Sequence, residues 1–200
     1  KGKRFLNLFA YTGSFSVYAR GGGAAETTTV DLSNTYCDWA ERNFALNGFA
    51  PSPQHQVVRA DALAWLEHAS GPFDLVVLDG GGHVSPAQAS VVELAGECLV
   101  VTTPDVLSVR AMRRRMIAWT ALGVREEPGF KVLVNKVDRA SLFPANAVTK
   151  LTTAHVVETQ IPYSPRVLEA SINDRDPRAV TEVAWWSLIS SLRVELGLAK

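Results

Sequence analysis

The chain has 200 residues, 47% of them hydrophobic, and its 20 lysines and arginines balance its 20 aspartates and glutamates. That length and apolar content suffice to bury a substantial core in one globular unit or two closely joined halves. The neutral total gives no long-range attraction toward nucleic acid or an anionic membrane, so any RNA would have to be held by a local patch.

Apolar runs rich in branched residues recur along the chain: RFLNLF (4–9), TTTVD (27–31), HQVVRA (55–60), FDLVVLD (73–79), CLVVTT (98–103), KVLVNKV (131–137) and HVVETQIP (155–162). Helical patterns separate them. Strands that alternate with helices and are apolar on both faces predict an α/β protein, a three-layer α/β/α sandwich around a Rossmann-like, mainly parallel sheet. In SNTYCDWAERNFALNG, Ser33 is placed to cap a helix, Tyr36, Ala40 and Phe44 recur on one face, and Gly48 stands where a left-handed terminator is wanted. A second long helix is expected to start at Pro104 behind a Thr103 cap and to stop at Gly123. A last helix lines up Trp185, Leu188, Leu192 and Leu196 along one stripe, leaving Trp186 on another part of its surface, where exposure would favour a homodimer over a monomer.

No run approaches the roughly 18 apolar residues of a membrane span. The opening KGKRFLNLFAYTG lacks the apolar core of a signal peptide, and the two cysteines, Cys37 and Cys98, sit inside apolar runs as buried thiols do. These features predict a soluble, cytoplasmic protein.

The chemistry is concentrated at strand ends. In NLFAYTGSFSVYA a strand gives way to the small-residue turn Thr12-Gly13-Ser14 and then to a helix, so the backbone can come close to a ligand at a helix amino terminus. Eighteen residues after Gly13, Asp31 ends the second strand, the spacing at which Rossmann-type folds place a carboxylate for ribose hydroxyls. Asp61 follows the third strand and Asp79 the fourth. All four positions are expected on the carboxyl edge of one sheet, where open α/β folds bind ligands.

Residues 1 to about 79, through FLNLFAYTGSFSVYA, TTTVDLSNTY, DWAERNFALNG and RADALAWL, resemble the S-adenosylmethionine-dependent 23S ribosomal RNA methyltransferases. The resemblance implies that Tyr11, Thr12 and Gly13 approach the methionine part of S-adenosylmethionine, that Asp31 binds its ribose hydroxyls, that Asp61 accepts from its adenine amino group, and that Asp79 lies nearest the transferred methyl. In that family the fourth strand is followed by Asp-Pro-Pro and an aromatic residue. Here Gly80, Gly81, Gly82 and His83 follow instead, with neither the rigidity nor the stacking surface. Binding of S-adenosylmethionine or S-adenosylhomocysteine is therefore expected, with methyl transfer to RNA weak or absent.

From about Leu78 onward, VLDGGGHVSPAQASVVELAGECLVVTTPDVLSVRAMRRR, VLVNKV and IPYSPRVLEASINDRDP resemble the carboxyl-terminal part of MinD/ParA-type P-loop proteins of the pilus-assembly and septum-site branch. The resemblance implies a chimera with its seam inside FDLVVLD, a single α/β domain of 200 residues built from a methyltransferase-like half, 1–79, and a MinD/ParA-like half, 80–200. A phosphate-binding loop needs a glycine-rich turn with lysine and Ser/Thr, which the chain lacks, so ATP or GTP hydrolysis is not expected. Asn135-Lys136-x-Asp138 is read as a surface turn, although it matches a base-reading pattern. The strand order expected is 3-2-1-4-5. Arg110, Arg113, Arg114 and Arg115 are read as a solvated helix face, and His55, His68, His83 and His155 show no metal-ligand spacing, so no metal is expected. Only His83 falls near the expected cleft, where it is a candidate general base. Two alternatives stand beside cofactor binding: a recombined or designed fold with no native ligand, and a nucleotide-dependent protein of the MinD/ParA type.

Overall fold

A computed structural model describes residues 2–79, 84–138, 143–144, 146–174 and 180–198. The protein is α/β, and its chain divides into two compact units, Lys1–Gln88 and Ala89–Lys200.

The first unit alternates β1 (Arg4–Leu8), α1 (Ser14–Gly21), β2 (Glu26–Asp31), α2 (Asn34–Leu46), β3 (His55–Arg59), α3 (Ala62–His68) and β4 (Leu75–Leu78), and α4 (Pro86–Leu94) crosses the division. Its strands form a parallel sheet in the order β3-β2-β1-β4. Central β1 is the best buried, with Leu6 1% and Leu8 0% exposed. The inward threonines of β2 are satisfied: Thr29 donates to Ser16 at 2.7 Å, Ser16 accepts also from Asn7 at 3.2 Å, and Thr27 meets His55 Nδ1 at 3.1 Å. A core polar group without such a partner would cost about 1–3 kcal/mol.

In the second unit β5 (Cys98–Thr102), α5 (Val106–Ala121), β6 (Phe130–Val134), α6 (Asn146–Thr149) and β7 (His155–Val156) precede α7 (Pro165–Asp174) and α8 (Val183–Glu195). Its parallel sheet runs β5-β6-β7. The core gathers Val109, Met112, Met116 and Trp119 of α5 over Phe130, Val132 and Val134 of β6, with Trp119 stacked on Phe130 at 5.4 Å.

Two expectations about the strands change. The 3-2-1-4 part of the strand order holds, but among the described residues β5 pairs with β6 and not with β4. Cys98–Thr102 and Phe130–Val134 match residue for residue in a five-pair ladder, which uses the hydrogen bonds along that side of β5. The strand expected over 155–162 stops after Val156 because the N–H groups of Glu158 and Thr159 donate to the Glu195 carboxylate of α8. The chain then rejoins the edge of β6, where Ile161 N donates to Val134 O. The stripe of α8 is half-buried at Trp185, Leu188, Leu192 and Leu196, while Trp186 is 42% exposed.

Helix α5 starts two residues later than a Thr103 cap would place it. Its cap is Asp105, whose carboxylate accepts from Ser108 N at 2.8 Å, and Pro104 lies outside the helix. The Thr103 hydroxyl, the Ser108 N–H and the Ser108 hydroxyl together lower the Asp105 pKa from 3.8 to about 2. A depressed carboxyl stabilises the fold above its ordinary pKa, and that contribution disappears as pH falls through the folded value. Asp105→Ala is expected to cost about 1–2 kcal/mol at pH 7, the worth of an N-cap, with the difference from the parent vanishing as pH falls from about 4 to 2. Urea unfolding of both proteins across that pH range measures it.

Candidate cofactor site

Parallel pairing puts the carboxyl ends of the four strands of the first unit on one edge: Leu8 is level with Val30 and with Leu78, and Val30 is level with Val58. The residues that follow these ends are Phe9 to Gly13, Asp31, Ala60-Asp61 and Asp79. This is the edge that the sequence marks.

The β1–α1 turn is wound through unusual backbone. Phe9, Tyr11 and Gly13 all have positive φ, at 56°, 51° and 68°. Two bulky non-glycine residues in that region are costly, and such strain gathers where a fold holds a ligand. The turn is pinned by Ala10 N donating to Val30 O at 3.3 Å and Gly13 N to Ala10 O at 2.8 Å. From α2, Asn43 Nδ2 donates to Thr12 O at 2.8 Å, while the Thr12 hydroxyl lies 2.8 Å from that of Ser14. Gly13 caps α1, and a Cβ there would stand 2.7 Å from the Cβ of Ala40. Its glycine is required by the approach of α2 as well as by its φ.

Asp31 joins two loops. Its Oδ2 accepts from Tyr11 N at 3.0 Å and its Oδ1 from Ser33 N at 2.9 Å. A carboxylate oxygen has room for more than one donor, so each keeps capacity for a ligand hydroxyl. Cys37 beneath it donates to the Asp31 carbonyl at 3.6 Å, and burial, with the Asp31 charge second, pushes its thiol pKa up. A protonated thiol is a poor nucleophile.

Asp61 has a structural duty that the strand-end reading missed. Its Oδ1 accepts from Leu63 N and Ala64 N, both at 3.0 Å, capping α3. The residue is exposed, and only its Oδ2 is left for another donor. Asp79 is exposed directly after β4. Gly80, Gly81, Gly82 and His83 lie outside the described residues.

Tyr36 departs from its expected place. Ala40 and Phe44 are buried, but Tyr36 is 37% exposed. Its ring meets Tyr11 edge-on at 4.7 Å, and Trp39 completes the cluster at 5.7 Å from Tyr11 and 5.6 Å from Tyr36. The sequence places Tyr36 on one face with Ala40 and Phe44; the i, i+3 spacing of Tyr36 and Trp39 just beyond Asp31 was the available signal for the cluster.

In the second unit Lys136 also has positive φ, 56°, and its N–H donates to Asn135 Oδ1 at 2.9 Å. Both residues line a cavity of about 450 Å³ with Pro162, Tyr163, Leu168 and Glu169. Arg110, Arg113 and Arg114 are exposed on α5. Among the described residues no group of three or more His, Cys, Asp or Glu could hold a metal ion, and no helix is long and apolar enough to cross a membrane.

A model of the S-adenosylmethionine-dependent methyltransferase family matches residues 1–100, past the strand where the sequence places the change of family. Ribosomal RNA large subunit methyltransferase K of Neisseria meningitidis serogroup B is 62% identical over 81 residues, 39% of this chain and 23% of that protein. Ribosomal RNA large subunit methyltransferase K/L of Allochromatium vinosum is 59% identical over 80 residues, 39% of this chain and 11% of that protein. The chain thus spans less than a quarter of the length of either relative. The MinD cell division protein of Aquifex aeolicus is similar in fold, with a TM-score of 0.60 over 99% of this chain and 98% of that one at 16% identity. At that identity the likeness concerns fold alone. Half of the residues, from the first strand through the fourth and beyond, match one family, and the chain belongs to the S-adenosylmethionine-dependent methyltransferases.

Proposed function

We propose that the first unit binds S-adenosylmethionine and its demethylated product S-adenosylhomocysteine, and that methyl transfer to RNA by this chain is weak or absent. Tyr11, Thr12 and Gly13 border the methionine part, the Asp31 oxygens accept from the ribose hydroxyls, and Asp61 Oδ2 accepts from the adenine amino group. Asp79 stands nearest the methyl that the bound cofactor supplies on its sulfonium. One observation carries the reading: Asp31 is held at the sheet edge by the N–H groups of Tyr11 and Ser33, one from each flanking loop, and both its oxygens keep accepting capacity. Weak transfer is proposed because Gly80, Gly81, Gly82 and His83 stand where the resembled family carries two prolines and an aromatic residue. The proposal includes a recombined origin, with a MinD/ParA-like second half lacking the phosphate loop, and a cytoplasmic setting.

Isothermal titration of the full chain with S-adenosylhomocysteine tests it. Saturable heat with one site per chain is the expected result. Absence of heat at millimolar ligand, with no thermal shift, overturns cofactor binding and leaves the chain as a recombined fold without a native ligand.

A further inference from the structure

We infer that the second unit carries a binding site for a medium-chain aliphatic carboxylate, in the cavity between α5 and the segment around α6, with Arg110 and Arg113 holding the carboxylate. The site is built wholly from residues of the second unit and does not depend on the cofactor reading of the first.

Three observations support it. A cavity of about 300 Å³ is lined by Val106, Val109, Arg110, Arg113, Phe143 and Leu151. Spaced i, i+3, i+4 and i+7, the first four share one side of α5. Phe143 precedes α6 and Leu151 follows it, so the other wall comes from the two ends of that short helix. Every lining residue is apolar except the two arginines, and no acid is among them. A volume of that order suits a small ligand, and water against an apolar wall has few hydrogen-bond partners to give up.

The second observation is that the core fixes the walls. Val109 is 2% exposed and Val148 of α6 is 0% exposed, and both belong to the cluster with Met112, Met116 and Phe130, against which Phe143 also packs. Ala147 N donates to Pro144 O and Leu151 N to Val148 O, both at 2.9 Å, which ties the chain around α6. A ligand entering a hollow with such walls has little protein to order, so less of its binding energy is lost.

Charge is the third. Arg110 and Arg113 are exposed and make no ion pair among the described residues. Arg114 is exposed too, and i, i+4 spacing puts it beside Arg110. The acid that caps this helix, Asp105, has its carboxylate engaged by the Thr103 hydroxyl and by Ser108 N. Cations therefore stand over an apolar floor. A guanidinium keeps its charge and its planar fork matches a carboxylate, so the arginines select an anionic head while the walls take an aliphatic tail.

Isothermal titration of the full chain with octanoate at low salt tests the site, with hexanoate and octanol as comparisons. Saturable binding of one octanoate per chain is expected. Octanoate should bind roughly tenfold more tightly than hexanoate, the effect of burying two further methylenes. It should also bind more tightly than octanol, which has the same tail and no charge. Arg110→Gln and Arg113→Gln should each weaken octanoate about fivefold and leave octanol little changed. Leu151→Ser should weaken both ligands, whereas Leu107→Ser, at a residue 78% exposed and outside the cavity lining, should weaken neither. Circular dichroism establishes that each variant is folded. No saturable heat, equal affinity for octanoate and octanol, octanoate binding unchanged in both arginine variants, or equal losses in Leu151→Ser and Leu107→Ser overturns the site.

Discussion

Gly13→Ala is expected to destabilise the first unit by roughly 3 kcal/mol, and Gly48→Ala by only about 1. The two glycines have nearly the same left-handed φ, 68° and 72°, so the backbone penalty of a side chain is similar at both. They differ in what surrounds them. Nothing lies within 4 Å of a Cβ built on Gly48, whereas one on Gly13 meets Ala40 Cβ at 2.7 Å and Ala40 Cα at 3.2 Å. The second of these is backbone, so α2 itself would have to move, and with it Asn43, which holds Thr12 O. Urea unfolding of the two single variants gives the comparison. Gly13→Ala/Ala40→Gly should recover the part of the loss due to the clash and leave the part due to φ. Equal losses at Gly13 and Gly48 would show that α2 does not press on the turn.

Asp31→Ala should lower affinity for S-adenosylhomocysteine by at least about 100-fold, because in the proposed site hydrogen bonds from two hydroxyls to a charged acceptor are worth roughly 1.5–3 kcal/mol each and truncation removes both. The same change strips the acceptor from Tyr11 N and Ser33 N. A stability loss of about 2 kcal/mol is therefore expected beside the affinity loss, read as a Tm lower by roughly 4–8 °C for a chain of this size. Asp61→Ala provides the contrast: its Oδ1 caps α3, so part of its cost is that of any N-cap, about 1 kcal/mol, and its affinity loss should be smaller. Calorimetric titration and thermal melts of both variants measure the two effects separately. Unchanged affinity in folded Asp31→Ala would remove Asp31 from the site.

Much of the framework was legible in the chain. The seven apolar runs correspond to β1 through β7, and the acid-bearing ends of β2, β3 and β4 fall on one edge, as a parallel sheet requires. Ser33 and Gly48 bound α2 as their side-chain chemistry and conformational freedom predict, with Ser33 Oγ accepting from Tyr36 N and Gly48 at positive φ. These features are local: periodicity, capping and turn preference act within a few residues. The methyltransferase motifs are equally local, which is why they could be recognised before any fold was known.

Where the reading differed, distant residues had intervened. The expected strand over 155–162 yields at Glu158 and Thr159 to a carboxylate 37 and 36 residues away. Tyr36 has the period of a core residue, yet it turns to Tyr11, which strained backbone brings to the same surface. Asp61 was read as a binding acid, and the helix that it begins claims one of its oxygens. The sequence by itself determined which residues end the strands and in what order, because strand, turn and cap preferences are short-range. Only the tertiary structure decided which of those residues stay available to a ligand. Hydrogen-bond acceptors and ring faces are shared among all groups that the fold brings within reach, and the outcome of that competition depends on neighbours far away in the chain.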